Sequence, residues 1–288
     1  MPDPDERDRA YEAVRAYCAD AEATKQAERG PESGQPPDAA GQRGYRDEVP
    51  RFREMWAEHQ KRWPATRQSP EGQSPDVPGP HHKDGGVPSS PERNTGNEAL
   101  GRVREAERGL SPDAREIEQE NKYEGWLEGF EHRLKDDGRL KEKIAERLAG
   151  EPDKSPAAIL HKIPDAIRFT FCFEPENYTR GYYDIKERLE NRGHEMYYSK
   201  NWWTNPEYKG INTRWVTPEG QRFEVQFHTP DSFHAKHYIT HAAYERIRDQ
   251  ATSRAELREL HGFQREVSSW IHVPDGAADI PDYKKEGF

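Results

Sequence analysis

The chain has 288 residues, 34% of them charged and only 32% hydrophobic, with 23 prolines and a formal net charge of −10. That length has room for one or two domains of roughly 100 to 200 residues each, and the acidic balance excludes nucleic-acid binding driven by overall charge. Two cysteines in distant parts of the chain, Cys18 and Cys172, exclude a disulfide framework, and the lack of any run of about 18 apolar residues or of a basic, apolar start argues against a membrane span or secretory signal.

Asp5 to Arg29 reads as a helix, with Tyr11, Val14, Tyr17 and Cys18 at helical spacing. A second helix, Tyr45 to Trp63, is interrupted at Pro50 and carries Phe52, Met55 and Trp56, so residues 1–63 are expected to form a helical accessory region. Residues 64–109 are assigned to a flexible linker, because the Pro-, Gly- and Ser-rich stretch from Pro64 to Asn97 buries too little apolar surface to offset chain entropy. Ser111-Pro112-Asp113 is a helix-start signal, and helical spacing continues to Leu148 with a break at Asp136 to Gly138. Ile167 to Phe173 alternates as a strand, Tyr178 to Asn191 is a helix stopped by Gly193, and His194 to Ser199 is a further strand. After the aromatic loop KNWWTNPEYKGIN, Thr213–Thr217 and Arg222–Thr229 are joined by PEG as an antiparallel hairpin. Ser232–Gln250 and Arg254–Ile271 read as helices, and 274–288 as an irregular tail. The order predicts an α/β domain over residues 110–273, a mixed β-sheet flanked by helices.

The strand RFEVQFHT carries the most information. Phe223, Val225 and Phe227 share one face, while Glu224, Gln226 and His228 share the other. A carboxylate, an amide and an imidazole in one row line either a polar site or a wet outer face. Arg133, Lys135, Arg139, Lys141 and Lys143 form a basic patch on the long helix, either a solvated surface or the cations a polyphosphate needs. Arg168 stands on the polar side of its strand and requires a partner, the nearby Asp165 or a ligand. Trp202, Trp203 and Tyr208 beside Lys200, Lys209 and Asn212 suit nucleobase stacking or plain packing. His237 and His241 have the i, i+4 spacing of a zinc pair, but Tyr238 stands where a metalloprotease would have its Glu.

From about Glu131 to Arg248 the chain resembles the synthetase domain of the RelA/SpoT-like alarmone synthetases, a nucleotidyltransferase-related fold, and more closely its small single-domain and toxin branch. EVQFHT stands at the family's Glu-x-Gln strand, YKGIN at its Tyr-x-Ser-x-His acceptor loop preceded by Lys200 and Asn201, and DAIRFT at its first strand. Arg133, Lys135 and Lys143 match its basic ATP-binding segment, and His241, Tyr244 and Glu245 match the segment after the Glu strand. The resemblance implies an ATP-dependent 3′-pyrophosphokinase that needs Mg²⁺. Arg133, Lys135, Lys143 and Arg168 would bind ATP, and Asp165 and Glu224 would be catalytic and hold the metal. Tyr208, Asn212, Gln226, Lys200, Asn201 and His228 would meet the acceptor. The chain departs from the family in its Asp-to-Arg spacing, in Gly210 and Asn212 for the loop Ser and His, and in His228 for an Arg. Those departures favour an adenine acceptor, giving (p)ppApp, over a guanine one, giving (p)ppGpp. The 3′ end of tRNA and a catalytically dead nucleotide-binding module are the alternatives, and no DNA partner is expected. Without a degrading domain such an enzyme would inhibit growth. The expectation is thus a toxin acting in the cytoplasm, delivered as the C-terminal part of a secreted effector and matched by an antitoxin or immunity protein.

Overall fold

The computed structural model describes residues 44–64, 91–151, 153–160, 163–249 and 251–287. The helix expected over Asp5–Arg29 and the stretch 65–90 lie outside them. Six strands form one mixed sheet: β1 (Trp126–Leu127), β2 (Arg168–Cys172), β3 (Glu195–Asn201), β4 (Ile211–Val216), β5 (Arg222–His228) and β6 (Tyr283–Lys284), in the order β1-β2-β5-β4-β3-β6. Only the central β2–β5 pair is parallel. The helices are α1 (Tyr45–Arg62), α2 (Pro91–Glu120), α3 (Asp137–Gly150), α4 (Pro156–Leu160), α5 (Tyr178–Asn191), α6 (Pro230–His234), α7 (His241–Arg248) and α8 (Arg254–Ser269). This is the helix-flanked mixed sheet that the alternation of patterns predicts.

One sheet face is dry. Phe169 and Phe171 of β2, Phe223, Val225 and Phe227 of β5, and Ile211 and Trp215 of β4 are all buried. Tyr178 and Tyr182 of α5 pack over them, with Tyr182 edge-on to Phe227 at 4.9 Å. Fully burying an aromatic or aliphatic side chain contributes on the order of 1.5–3 kcal/mol, so this alternation pins the register. A one-residue slip of β5 would turn Glu224 and Gln226 into the aromatic layer.

The segment before β2 differs from the expected long helix. α2 runs through 91–109, which composition assigned to a linker, and Pro112 lies inside it rather than at its start. It stops at Glu120 because the Asn121 side chain takes over the backbone: Oδ1 accepts from the Tyr123 and Gly125 N–H groups and Nδ2 donates to Gly125 O at 2.7 Å. Glu124 adopts a left-handed φ of 53° in that turn, and Glu118 receives the Leu127 N–H at 2.7 Å, which starts β1. Such local side-chain bonds compete with helix continuation. Arg133 and Lys135 consequently lie outside any α-helix. Arg133 closes a 3₁₀ turn over Phe130–His132 and Leu134 bridges Ile167, with the Arg168 N–H on Arg133 O at 2.8 Å and the Lys135 N–H on Ala166 O at 3.1 Å.

Neither end of the described chain is an appendage. Tyr45, Val49 and Phe52 of α1 belong to the hydrophobic core, and Trp63 Nε1 and His59 Nδ1 bind Glu259 of α8. The tail buries Ala277 and Ile280 and pairs with β3 through β6. The expected helix Ser232–Gln250 is divided into α6, a π-helical turn over Ala235–Ile239, and α7.

Candidate active site

The other sheet face carries the polar row. The register sets Arg168 and Arg214 on either side of Glu224, Thr170 and Asn212 on either side of Gln226, and Cys172 beside His228. Glu224 is 8% exposed and Gln226 5%. The one described hydrogen-bond partner of the Glu224 side chain is the Gln226 amide, which donates from Nε2 to Oε1. The Arg168 guanidinium makes no hydrogen bond or ion pair with any described residue. A buried carboxylate beside an uncompensated guanidinium is costly to keep for packing alone and is characteristic of a site that completes itself with a ligand.

Asp165, in the short 3₁₀ turn before β2, does not pair with Arg168. Lys143 of α3 donates to both its oxygens at 2.8 Å, and Lys135 lies 3.0 Å from Oδ2. Burial would raise this carboxyl, but the Lys143 hydrogen bond and the charges of both lysines outweigh it and hold it down at about 2. The result is an ionised carboxylate carrying two ammonium groups beside the strand that bears Arg168. Arg133 is engaged elsewhere. Its Nε bonds Glu107 and, at 2.9 Å, Ser111 of α2, while its guanidinium stacks 4.5 Å from the Phe130 ring. It props α2 against the site rather than facing a phosphate. Lys141 is exposed.

Beyond Gln226 a chain of polar contacts closes the far end of the face. His228, fully buried, is held neutral because burial and the charges of Lys236 and Arg168 push its pKa well below the ordinary value. Its Nδ1 meets Ser232 Oγ at 2.9 Å and its Nε2 meets Tyr208 Oη at 3.1 Å, while the Tyr208 hydroxyl donates to Asn212 Oδ1 at 3.0 Å. Burial raises the Tyr208 phenol above its ordinary range, so it stays a donor. His228 thus fixes Tyr208 from behind and is sealed from any acceptor, contrary to the role its position implied. Tyr208 and Asn212 keep partial exposure.

Two other expected acceptor contacts serve the fold instead. The Asn201 amide donates to Ala277 O and Ile280 O at 2.8 Å each, and its Oδ1 accepts the Trp203 N–H, clamping the C-terminal segment. Lys200 pairs with Asp282. Lys209 donates inward to Trp203 O and Asn205 O, and Trp203 is a packing plug, 1% exposed. His237 stacks on Phe233 at 5.3 Å, and among the described residues no group of three or more His, Cys, Asp and Glu side chains is disposed to hold a metal. Magnesium asks for less, one or two carboxylates with the remaining positions left to phosphate and water. Glu224 and Asp165 are the carboxylates of this face, and Lys135 and Lys143 occupy both oxygens of Asp165.

Two departures from the alarmone-synthetase pattern meet at one contact. Gly210 has φ +142°, and a Cβ there would lie 2.7 Å from His228 Cε1 and 2.9 Å from Phe227 O. The loop can hold no serine here while histidine stands at 228. Gly210→Ala is therefore expected to destabilise the protein by about 2 kcal/mol or more through overpacking and backbone strain, read as a lowered midpoint in urea unfolding. A change within about 0.5 kcal/mol would mean that the loop relaxes freely.

The fold and site define an α/β protein whose sheet carries a buried carboxylate between cations on its polar face. No protein-family model and no curated protein matches the chain. Among solved structures, it is similar to the type VI effector Tas1 crystallised with its immunity protein, at 18% identity and TM-score 0.45 over 62% of this chain and 96% of that one. It is also similar to small alarmone synthetase 1 from Bacillus subtilis bound to its product pppGpp, at 15% identity and TM-score 0.37 over 59% and 88% of the two chains. A GTP pyrophosphokinase family protein from Streptococcus pneumoniae matches at 14% identity and TM-score 0.40, over 62% and 87%. No described helix is long and apolar enough to cross a membrane.

Proposed function

We propose that the chain is a nucleotide 3′-pyrophosphokinase that moves the β,γ-diphosphate of ATP to the 3′-hydroxyl of a purine nucleotide and releases AMP. The observation that carries this reading is the row Arg168–Glu224–Arg214, in which a buried carboxylate is paired in register with an arginine on each neighbouring strand, and the Lys135–Lys143–Asp165 cluster just before β2. Phosphoryl-type transfer needs positioning and charge neutralisation more than covalent chemistry. In the assigned reaction Lys135, Lys143 and Arg168 neutralise the triphosphate, and Glu224 takes the proton from the attacking hydroxyl. The new O–Pβ bond forms as the bond from Pβ to the α,β-bridging oxygen breaks, and the electron pair leaves with AMP. Mg²⁺ held by Glu224 and Asp165 would supply further neutralisation of the phosphate oxygens.

Tyr208 and Asn212 form the acceptor end. Asn212 spends its oxygen on Tyr208, leaving its amide N–H groups to meet a base. Such donors suit the acceptor atoms of either purine, and the replacements at Gly210, Asn212 and His228 favour (p)ppApp over (p)ppGpp. A growth-inhibiting role, delivery as part of a longer effector and neutralisation by an immunity protein belong to the same proposal. Purified protein with ATP, Mg²⁺ and each of AMP, ADP, GDP and GTP is expected to release AMP and form a 3′-diphosphorylated product, fastest with the adenine series, by mass spectrometry. Folded protein that yields no product from either series would overturn the assignment, and label passing from ATP to total tRNA would redirect it to the RNA acceptor.

A further inference from the structure

A lysine that helical spacing does not single out lies at the centre of the polar face. α6 runs into the π-helical turn Ala235–Ile239, where the Thr240 N–H reaches back to Ala235 O at 2.8 Å. A π turn inserts a residue into a helix and re-aims the side chains around it, commonly at functional sites. Here Lys236 lies over β5, and its Nζ donates to Gln226 Oε1. The other end of the same amide donates to Glu224 Oε1. Four residues earlier, Ser232 reaches His228 and through it Tyr208. One short element therefore braces both ends of the site.

An amide beside a carboxylate has one end that attracts it and one that repels it, and nothing in the strand itself fixes which end faces Glu224. A cation on Oε1 does. Lys236 has no carboxylate partner among the described residues. The charged and titratable groups around it are Arg168 and Cys172 of β2, Glu224 and His228 of β5, and the adjacent His237. Burial, with Arg168 adding to it and Glu224 opposing it, pushes its ammonium down to about 7. A lysine kept in such a place solely for packing would be better replaced by a methionine.

We propose that Lys236 is a positioning residue for the transfer reaction: it holds Gln226 Oε1 so that the amide nitrogen orients Glu224 and leaves the second carboxylate oxygen to meet the attacking hydroxyl. The inference rests on the pyrophosphokinase reading and adds a residue to it. Its test is a double-mutant cycle on the full chain with Lys236→Met, Gln226→Leu and the pair. Lys236→Met is expected to lower kcat by about 10²-fold, the scale of an ångström-level misplacement of a catalytic group, with KM for both nucleotides nearly unchanged. Lys236→Arg, which keeps a charged donor, recovers most of the loss. In the Gln226→Leu background Lys236→Met has no further effect, because its route to Glu224 is already cut. An unchanged kcat, a loss confined to KM, or losses that multiply in the double mutant would each overturn the proposal. Thermal midpoints of the same four proteins need no activity: non-additive shifts support the Lys236–Gln226 contact, and additive shifts remove it. A wild-type protein without product would thus defeat the functional reading while the contact is still judged.

Discussion

Glu224→Gln is expected to lower kcat by about 10²- to 10⁴-fold, the range that positioned proton transfer contributes, while leaving the protein folded. The substitution keeps the shape and the oxygen that accepts from Gln226 Nε2, and it removes a buried charge with no directly bonded cation among the described residues, so the thermal midpoint should hold or rise. Initial rates at saturating ATP and acceptor, with calorimetric ATP binding as control, check it. Both substrates should still bind, because Lys135, Lys143, Arg168 and Tyr208 remain. A variant retaining more than about a tenth of wild-type kcat would fall below the range of general-base contributions and remove the carboxylate from that role.

A large effect is also expected from mild acid. His234 is 2% exposed, and its Nδ1 lies 2.8 Å from the Tyr45 hydroxyl, which carries the docking of α1. Burial, then the charges of Arg46 and Arg53, lower its pKa to about 3, and burial with Lys236 lowers that of His237 to about 4. Both folded values lie below the unfolded value near 6.5, so on acidification the unfolded chain takes up protons first. Stability is then lost as pH falls from about 6.5, at about 1.4 kcal/mol per pH unit for each such histidine. At pH 5 His234 alone costs about 2 kcal/mol on that scale, and the partly exposed His237 somewhat less. Asp165 acts later: its folded value is depressed, so its stabilisation is complete above about pH 4 and lost as pH falls toward about 2. In a series from about pH 7.5 to about 4.5, urea midpoints should fall steadily once the pH is below about 6.5, and His234→Gln should flatten that slope by one proton. A midpoint constant over that range would contradict neutral burial of these rings.

What the sequence determined by itself was the sheet and its two faces. Strict alternation in IRFTFCF and RFEVQFHT fixes which residues face the aromatic layer, because a strand has only two sides, and the hairpin and α5 follow from PEG and Gly193. Glu224, Gln226 and Arg168 therefore fall on the face the pattern gives them, whereas Tyr208 and Asn212 lie outside both strands. The tertiary structure alone decided the rest. Asn121 ends α2 through side-chain bonds that compete with an otherwise helical spacing, so Arg133 and Lys135 leave the α-helix for the 3₁₀ turn and bridge beside β2. Asp165 takes two lysines rather than Arg168, since partners are chosen by distance across the fold and not along the chain. Lys236 comes to the site through a π turn, a one-residue insertion without a distinctive composition, and His228 is sealed behind Tyr208 because Gly210 leaves room for it. Periodicity specifies the side of an element on which a residue lies; which groups meet above that side is set by packing among segments far apart in sequence.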